Sequence, residues 1–415
     1  MNNGFDESVS FSSRLWIFFS ASVVLCNYYY LYFFDFNQGS ADVGIFFSAL
    51  KVLGTALICS SLLSLKLRTK VNIETLILFI FMIIAFSIYC LKTALIGFSD
   101  IMFINTMICS IPFLILKPNP NLGRIRLFFE YSTFIIMIQI VIDSIIYTSG
   151  NSIWDNRAFI GGLGNPSSFG LTCNILISYI LLQRKRSLSS AISYFTLAAG
   201  VYMTSSILAL LTLGIITSIW LLRGITLRKF TFGVIIFLAA AFAGKDLMSK
   251  HLEYKLNSII NMASESNSSQ SASISIRTQI HREYAENFEN SPVDAIFTGF
   301  DKRSYMNYDS QLLTYASSFG LLTTSIFLLG FAFLYVRARR ETNLLFASTT
   351  ILIFAMTFLT NRIMDYYPMP IFLFIILSLI SEIVARRRND SYSSSVIDDH
   401  RKTVSCTAED HSQPT

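Results

Sequence analysis

Four polar segments of this chain hold side chains that lipid and helix packing do not require. The first, Trp154-Asp155-Asn156-Arg157-Ala158-Phe159-Ile160-Gly161-Gly162-Leu163-Gly164-Asn165-Pro166, sets one arginine beside three glycines. Glycine lets backbone approach a ligand closely, and the guanidinium of Arg157 is a planar fork of donors matched to phosphate. The same segment also reads as a flexible loop whose arginine reaches lipid headgroups. In the second segment Ile276, Ile280, Tyr284 and Phe288 recur every four residues, which predicts an amphipathic helix. Arg277 and His281 share a neighbouring face, with Arg282 beside them. A cation next to an imidazole suits a site that handles a phosphate and a proton; a basic-flanked helix lying on a membrane shows the same pattern. The third segment runs from Thr298-Gly299-Phe300-Asp301-Lys302-Arg303 to Tyr308-Asp309-Ser310-Gln311, where Asp309 is a base, a sugar ligand or an ordinary helix cap. The fourth is Asn361-Arg362-Ile363-Met364-Asp365, in which Arg362 either reaches a ligand or pairs with Asp365.

The elements that must position these groups are membrane helices. The 415 residues are 53% hydrophobic and only 14% charged, with mean hydropathy +0.54, whereas soluble domains carry roughly 25% charged residues. Stretches of about 20 apolar residues mark membrane helices. They fall near 14–34, 44–64, 74–91, 101–117, 127–148, 168–183, 188–203, 206–222, 230–244, 311–335, 343–360 and 366–385, with one long apolar run divided at Thr204-Ser205-Ser206. The first ends in Cys26-Asn27-Tyr28-Tyr29-Tyr30, which suits a membrane interface rather than a signal-peptidase site. Every second connection is basic: Lys66-Arg68-Lys70, Lys117-Arg124-Arg126, Arg184-Lys185-Arg186, Arg223-Arg228-Lys229, Arg337-Arg339-Arg340 and Arg386-Arg387-Arg388. Basic connections stay in the cytoplasm, so both termini are expected there and the four polar segments outside.

The expected organisation is an all-α polytopic membrane protein. Nine helices fill 1–244, a large outer loop fills 245–310, three more helices fill 311–388, and a Ser- and Asp-rich tail reads as disordered. Unpaired backbone in lipid costs several kcal/mol per group, so the polar loop is expected to fold over one mouth of the bundle. Within the spans, Lys51, Glu130 and Asp143 are the ionisable residues that matter. The net charge of +6 is explained by the basic connections and does not imply nucleic acid. Five of six cysteines lie in apolar spans and Cys406 in the tail, so neither disulfides nor a cysteine metal site is expected. Nucleotide-loop, metal-spaced histidine and serine-hydrolase motifs are absent from the sequence.

The order of these outer motifs resembles the O-antigen polymerases (Wzy) and the wider O-antigen ligase/polymerase superfamily, which implies a GT-C-like fold of about twelve transmembrane helices with one large periplasmic loop containing short amphipathic helices. The resemblance covers roughly residues 150–385 and rests on four features: Arg157 followed by glycines and Asn165-Pro166-Ser167 before a span; the hydroxyl turn Thr204-Ser205-Ser206; Arg277 opening a helix that leads to Pro292 and Gly299; and Asp309-Ser310 feeding a span that contains Gly320. Superfamily members often carry an arginine at the hydroxyl turn, and ligases usually present a His-Asn pair where this chain has Tyr308-Asp309-Ser310. That departure favours polymerase over ligase. The resemblance implies an enzyme of the bacterial inner membrane that joins undecaprenyl-diphosphate-linked oligosaccharide repeats, both donor and acceptor, at the periplasmic face without metal or cofactor. It implies Arg157 and Arg277 on the donor diphosphate and His281 or Asp309 on the acceptor hydroxyl. Asn165, Arg282, Lys302, Arg303, Tyr308 and Arg362 would bind substrate, and a chain-length regulator would be a partner. A ligase that transfers glycan to lipid A-core, or a flippase for the lipid-linked oligosaccharide, would present similar spans.

Overall fold

The computed structural model describes residues 7–29, 41–69, 71–98, 101–150, 158–183, 187–223, 231, 272–300, 310–340, 342 and 344–388, with side chains except at 41–45, 47, 101–102, 272–278 and 280. These residues are overwhelmingly helical. In chain order they form α1 (Phe11–Leu25), α2 (Ala41–Leu62), α3 (Ile73–Ile96), α4 (Ile101–Ile115), α5 (Leu122–Thr148), α6 (Pro166–Leu182), α7 (Leu188–Met203) and α8 (Ile207–Leu222). The helices of the long polar segment are α9 (Ala272–Asn290) and α10 (Pro292–Phe297), followed by α11 (Gln311–Arg340), α12 (Leu345–Thr360) and α13 (Met369–Arg388).

Four of these helices, α3, α5, α11 and α13, are long and apolar enough to cross a membrane. Each of the other expected spans among the described residues coincides with a shorter apolar helix; the expected span 230–244 lies outside the described residues. The long apolar run 188–222 is broken where its hydroxyl residues stand: Ser206 caps α8 by accepting from the backbone N–H of Ala209 at 3.4 Å. Ser205 adopts φ +52 in that turn, a left-handed conformation uncommon for a side-chain-bearing residue. The first helix ends at Leu25, short of the expected 34. One departure from an all-helical chain is a two-stranded antiparallel ribbon, β1 (Leu63–Leu67) on β2 (Leu116–Pro118), with Leu63 facing Pro118. Leu63-Ser64-Leu65-Lys66-Leu67 alternates apolar and polar residues with the period of a strand, a pattern too short to compete with the hydropathy of the flanking helices when read along the sequence.

The core is aromatic. Phe81 of α3, Phe103 of α4, Tyr315, Phe319 and Phe327 of α11 and Phe358 of α12 form one stack, with Phe81–Phe327 and Phe103–Phe319 centroids 4.5 Å apart. A second group joins Phe129 of α5, Tyr179 of α6 and Phe346 of α12 at 5.0–5.4 Å. Helix α13 is almost wholly surrounded by protein. Such packing is needed because lipid tails are as apolar as leucine, so membrane helices associate by van der Waals fit rather than by the hydrophobic effect. Small residues at crossings serve the same end, as where Gly170 of α6 meets Ala209 of α8.

Basic side chains gather at one end of the bundle. Arg124 donates to Ser61 O at 3.1 Å and Ser13 Oγ at 3.3 Å. Arg68 donates to Phe113 O and Leu116 O, each at 2.8 Å, so the orphan carbonyls at the end of α4 are satisfied. Arg386 pairs with Glu7 at 2.7 Å and Glu382 at 3.3 Å. Arg337 pairs with the fully buried Glu74 at 2.9 Å.

Candidate functional site

Three helix N-termini and one tight turn meet at the other end of the bundle. Asn165 caps α6, its Oδ1 accepting from the backbone N–H of Ser167 at 2.9 Å and of Ser168 at 3.2 Å. Ser206 caps α8. Ser310 opens α11, its hydroxyl donating to Leu359 O at 2.8 Å. Gln311 then stitches α11 to the turn between α12 and α13: its N–H donates to Asn361 O at 3.2 Å, and its Oε1 accepts from the N–H of Met364 at 2.9 Å. Thr106 of α4 donates to Met364 O and holds the same turn from the opposite side.

Between α6, α8 and this turn lies a narrow cleft lined by Ser167, Ser168, Ser206, Thr357, Asn361 and Tyr366 and, over more of its surface, by apolar side chains that include Leu171, Leu208 and Ile363. Its water-accessible core is about 10 Å³, the room one water needs. The fully buried hydroxyl of Ser168 on its wall, and the buried Nε2 of nearby Gln311, have no hydrogen-bond partner among the described residues. Helix N-termini carry partial positive charge, so several converging with spare donors favour a negatively charged oxygen. Anything larger than water requires α8 and the α12–α13 turn to part.

A buried polar clamp leads the chain into this cleft. Asp143 of α5 accepts from Tyr29 Oη at 2.6 Å and from the backbone N–H groups of Ile160 at 3.0 Å and Gly161 at 2.8 Å. Gln139, one turn earlier, accepts from Gly162 N–H at 3.0 Å and donates to Leu25 O at 2.9 Å. Three consecutive backbone donors are thus seated on one face of α5, and the 3₁₀ turn Gly161–Leu163 follows. The glycines here are packed against the protein: a Cβ at Gly161 would strike Phe169, at Gly162 Leu25, and at Gly164 Tyr28. The Phe159 N–H donates to Met203 O at 3.1 Å and ties this turn to the end of α7.

The expected site residues fare differently. Arg157, Lys302, Arg303, Tyr308 and Asp309 lie outside the described residues, as does the Arg277 side chain, although Arg277 falls on α9 as the periodicity predicts. His281 is exposed on α9. Arg282 is exposed and pairs with Glu286 at 3.1 Å, one turn on. Asn165 spends its carbonyl oxygen on the α6 cap, and Ser310 stands at the head of α11 against the α12–α13 turn. Arg362 is 5% exposed and forms a close pair with Asp365, with Nε and Nη2 at 2.8 and 2.7 Å from Oδ2, which realises the pairing alternative for that turn. Of the span ionisables, Glu130 pairs with Arg126 at 2.9 Å and Asp143 forms the clamp. Sequence reasoning missed Gln139, Tyr29, Ser168 and Gln311. A second polar residue one helical turn from Asp143 was the signal that would have found Gln139. No group of metal-binding side chains occurs among the described residues. No protein-family model matches the chain, and no curated protein matches it.

Proposed function

We propose that this chain is a polytopic glycosyltransferase of the bacterial inner membrane that polymerises undecaprenyl-diphosphate-linked oligosaccharide repeats at the periplasmic face. About twelve spans, with both termini and the arginine-rich end in the cytoplasm, accompany this reading. The observation that supports it is the meeting of three family-like stretches, Asn165-Pro166, Thr204–Ser206 and Ser310, as helix N-termini beside the Asn361 turn and around one narrow cleft, at the end opposite the arginine cluster.

The reaction suits such an end. An acceptor sugar hydroxyl attacks the anomeric carbon of the donor glycan. The new glycosidic bond forms as the bond from that carbon to the diphosphate oxygen breaks, and the diphosphate leaves with the electron pair. The hydroxyl proton passes to Asp309 or His281. Negative charge grows on the leaving group, and preorganised donors stabilise it best where water is excluded. Arg157 and Arg277 supply bidentate donors, the α6 and α8 N-termini add oriented dipoles, and Asn165, Arg282, Lys302, Arg303 and Tyr308 contact the glycan or its carrier, while Arg362 is held by Asp365.

A deletion strain complemented with wild type, Arg157→Ala or Arg277→Ala tests the reading, with lipopolysaccharide compared on a gel. Core bearing a single repeat in the deletion strain, and a ladder restored by wild type alone, is the expected result. Bare core with polymer held on the carrier lipid would make the chain a ligase. Bare core without outer polymer would make it a transporter.

A further inference from the structure

The exit of the outer loop is docked into a break in α11. Gly320 sits inside that helix at φ 84, ψ 159, a region open essentially to glycine alone. The break frees the carbonyls of Ser317 and Ser318, which an unbroken helix would bond to residues four further on. Both are used. Ser317 O accepts from the backbone N–H of Phe300 at 2.8 Å, and Ser318 O accepts from the Lys92 Nζ at 3.1 Å. Lys92 also donates to Phe300 O at 2.9 Å, so one ammonium joins the helix and the loop across a separation of more than two hundred residues.

The fit around this junction is close. A Cβ at Gly299, φ +75, would strike the Ser317 carbonyl, and one at Gly320 would strike the carbonyl of Ile296 and the backbone of Phe297. Helix α10 therefore lies against α11 with backbone on backbone, and its Ala295 is fully buried. The Phe300 ring meets Tyr284 of α9 at 5.5 Å, edge to face, which carries the docking on to the amphipathic helix. Lys92 itself is 4% exposed, stands before the last turn of α3, and lies 5.8 Å from the Phe98 ring centroid.

We infer that Lys92 is a latch: it holds the outer loop's exit in the broken turn of α11 and so positions the residues of that loop for the reaction proposed above, on which this functional half rests. A buried lysine in a membrane helix marks a working site more often than a packing accident. Here its donors span two elements that, among the described residues, also share the backbone hydrogen bond from Phe300 to Ser317.

Thiol labelling tests the latch without substrate. Ala295→Cys is placed in the full-length protein with Cys173, fully buried in α6, as the one native cysteine retained. A membrane-impermeant maleimide then reports opening of the loop exit through Cys at 295 and opening of the bundle through Cys173. Val293→Cys, on the exposed side of α10, gives the rate for an open position. Lys92→Met keeps the apolar stem and removes the donors; it should raise labelling at 295 at least about tenfold toward the Val293→Cys rate, since local opening tracks the hydrogen bonds lost. Cys173 should stay protected, and the surface-polymer ladder should shorten or vanish. Gly320→Ala, which closes the break, should open position 295 in the same way. Unchanged protection at 295 in Lys92→Met overturns the latch, and so does labelling of Cys173 in step with 295, which would make Lys92 a general stabiliser. The labelling result stands whether or not the deletion strain identifies a polymerase.

Discussion

At the residue scale the end of the bundle opposite the arginine cluster is organised by buried polar side chains that accept from backbone. Asp143 holds Tyr29, Ile160 and Gly161 with hydrogen bonds of 2.6–3.0 Å. Hydrogen bonds to charged groups contribute roughly 1.5–3 kcal/mol each, so Asp143→Ala should lower the melting temperature in detergent by several degrees and abolish polymer. Asp143→Asn should fall between, because the amide keeps an oxygen acceptor; a wild-type melting curve for Asp143→Ala would remove the clamp. Gly161→Ala should be at least as damaging, since it combines a positive φ with a clash on Phe169. Asp143 stood out in the sequence as an acid in an apolar span. Its partners did not, because they come from 17, 18 and 114 residues away. Lys92 was missed for a related reason: a lysine at the end of a predicted span reads as ordinary snorkelling to the interface, and only the fold carries Phe300 and Ser318 to it.

At the element scale most of the described helices were legible, because runs of apolar residues and the hydroxyl punctuation at 204–206 are local signals, although the first ends at Leu25. What joins them was less so. The Glu74–Arg337 pair ties α3 to α11 at the basic end, with Glu74 fully buried. Removing one partner of a buried pair leaves an uncompensated charge, which costs about 3–5 kcal/mol. Arg337→Met should therefore destabilise the protein strongly. The double variant Glu74→Leu with Arg337→Met should recover much of that loss, and a double variant no more stable than Arg337→Met would argue against the pair. Thermal unfolding in detergent distinguishes these outcomes. Arginines 68, 124, 337 and 386 were read as markers of sidedness, and in the structure they also satisfy helix-end carbonyls and neighbouring acids.

At the scale of the whole molecule, one end is rich in paired arginine and the other gathers helix N-termini around a one-water cleft. The proposed topology follows from that asymmetry. Alkaline phosphatase fused within 245–310 or after Gly150 should be active, and fused after Arg68, Arg124 or Arg340 inactive. Activity at a basic connection would reverse or recount the spans. The narrowness of the cleft adds an expectation about motion: cross-linking α8 to the α12–α13 turn should block polymer formation while leaving the protein folded, as judged by its melting curve.

The sequence by itself determined that the chain is a bundle of apolar helices, where most of those helices lie and which connections are basic. Transfer of a segment into lipid depends on its own composition, summed locally. Tertiary structure alone decided which side chains meet. In lipid the lateral arrangement of helices is set by shape and by a few buried hydrogen bonds, and hydropathy encodes neither. Nothing along the chain tells that the glycines beside Asn165 pack against the rings of Phe169 and Tyr28.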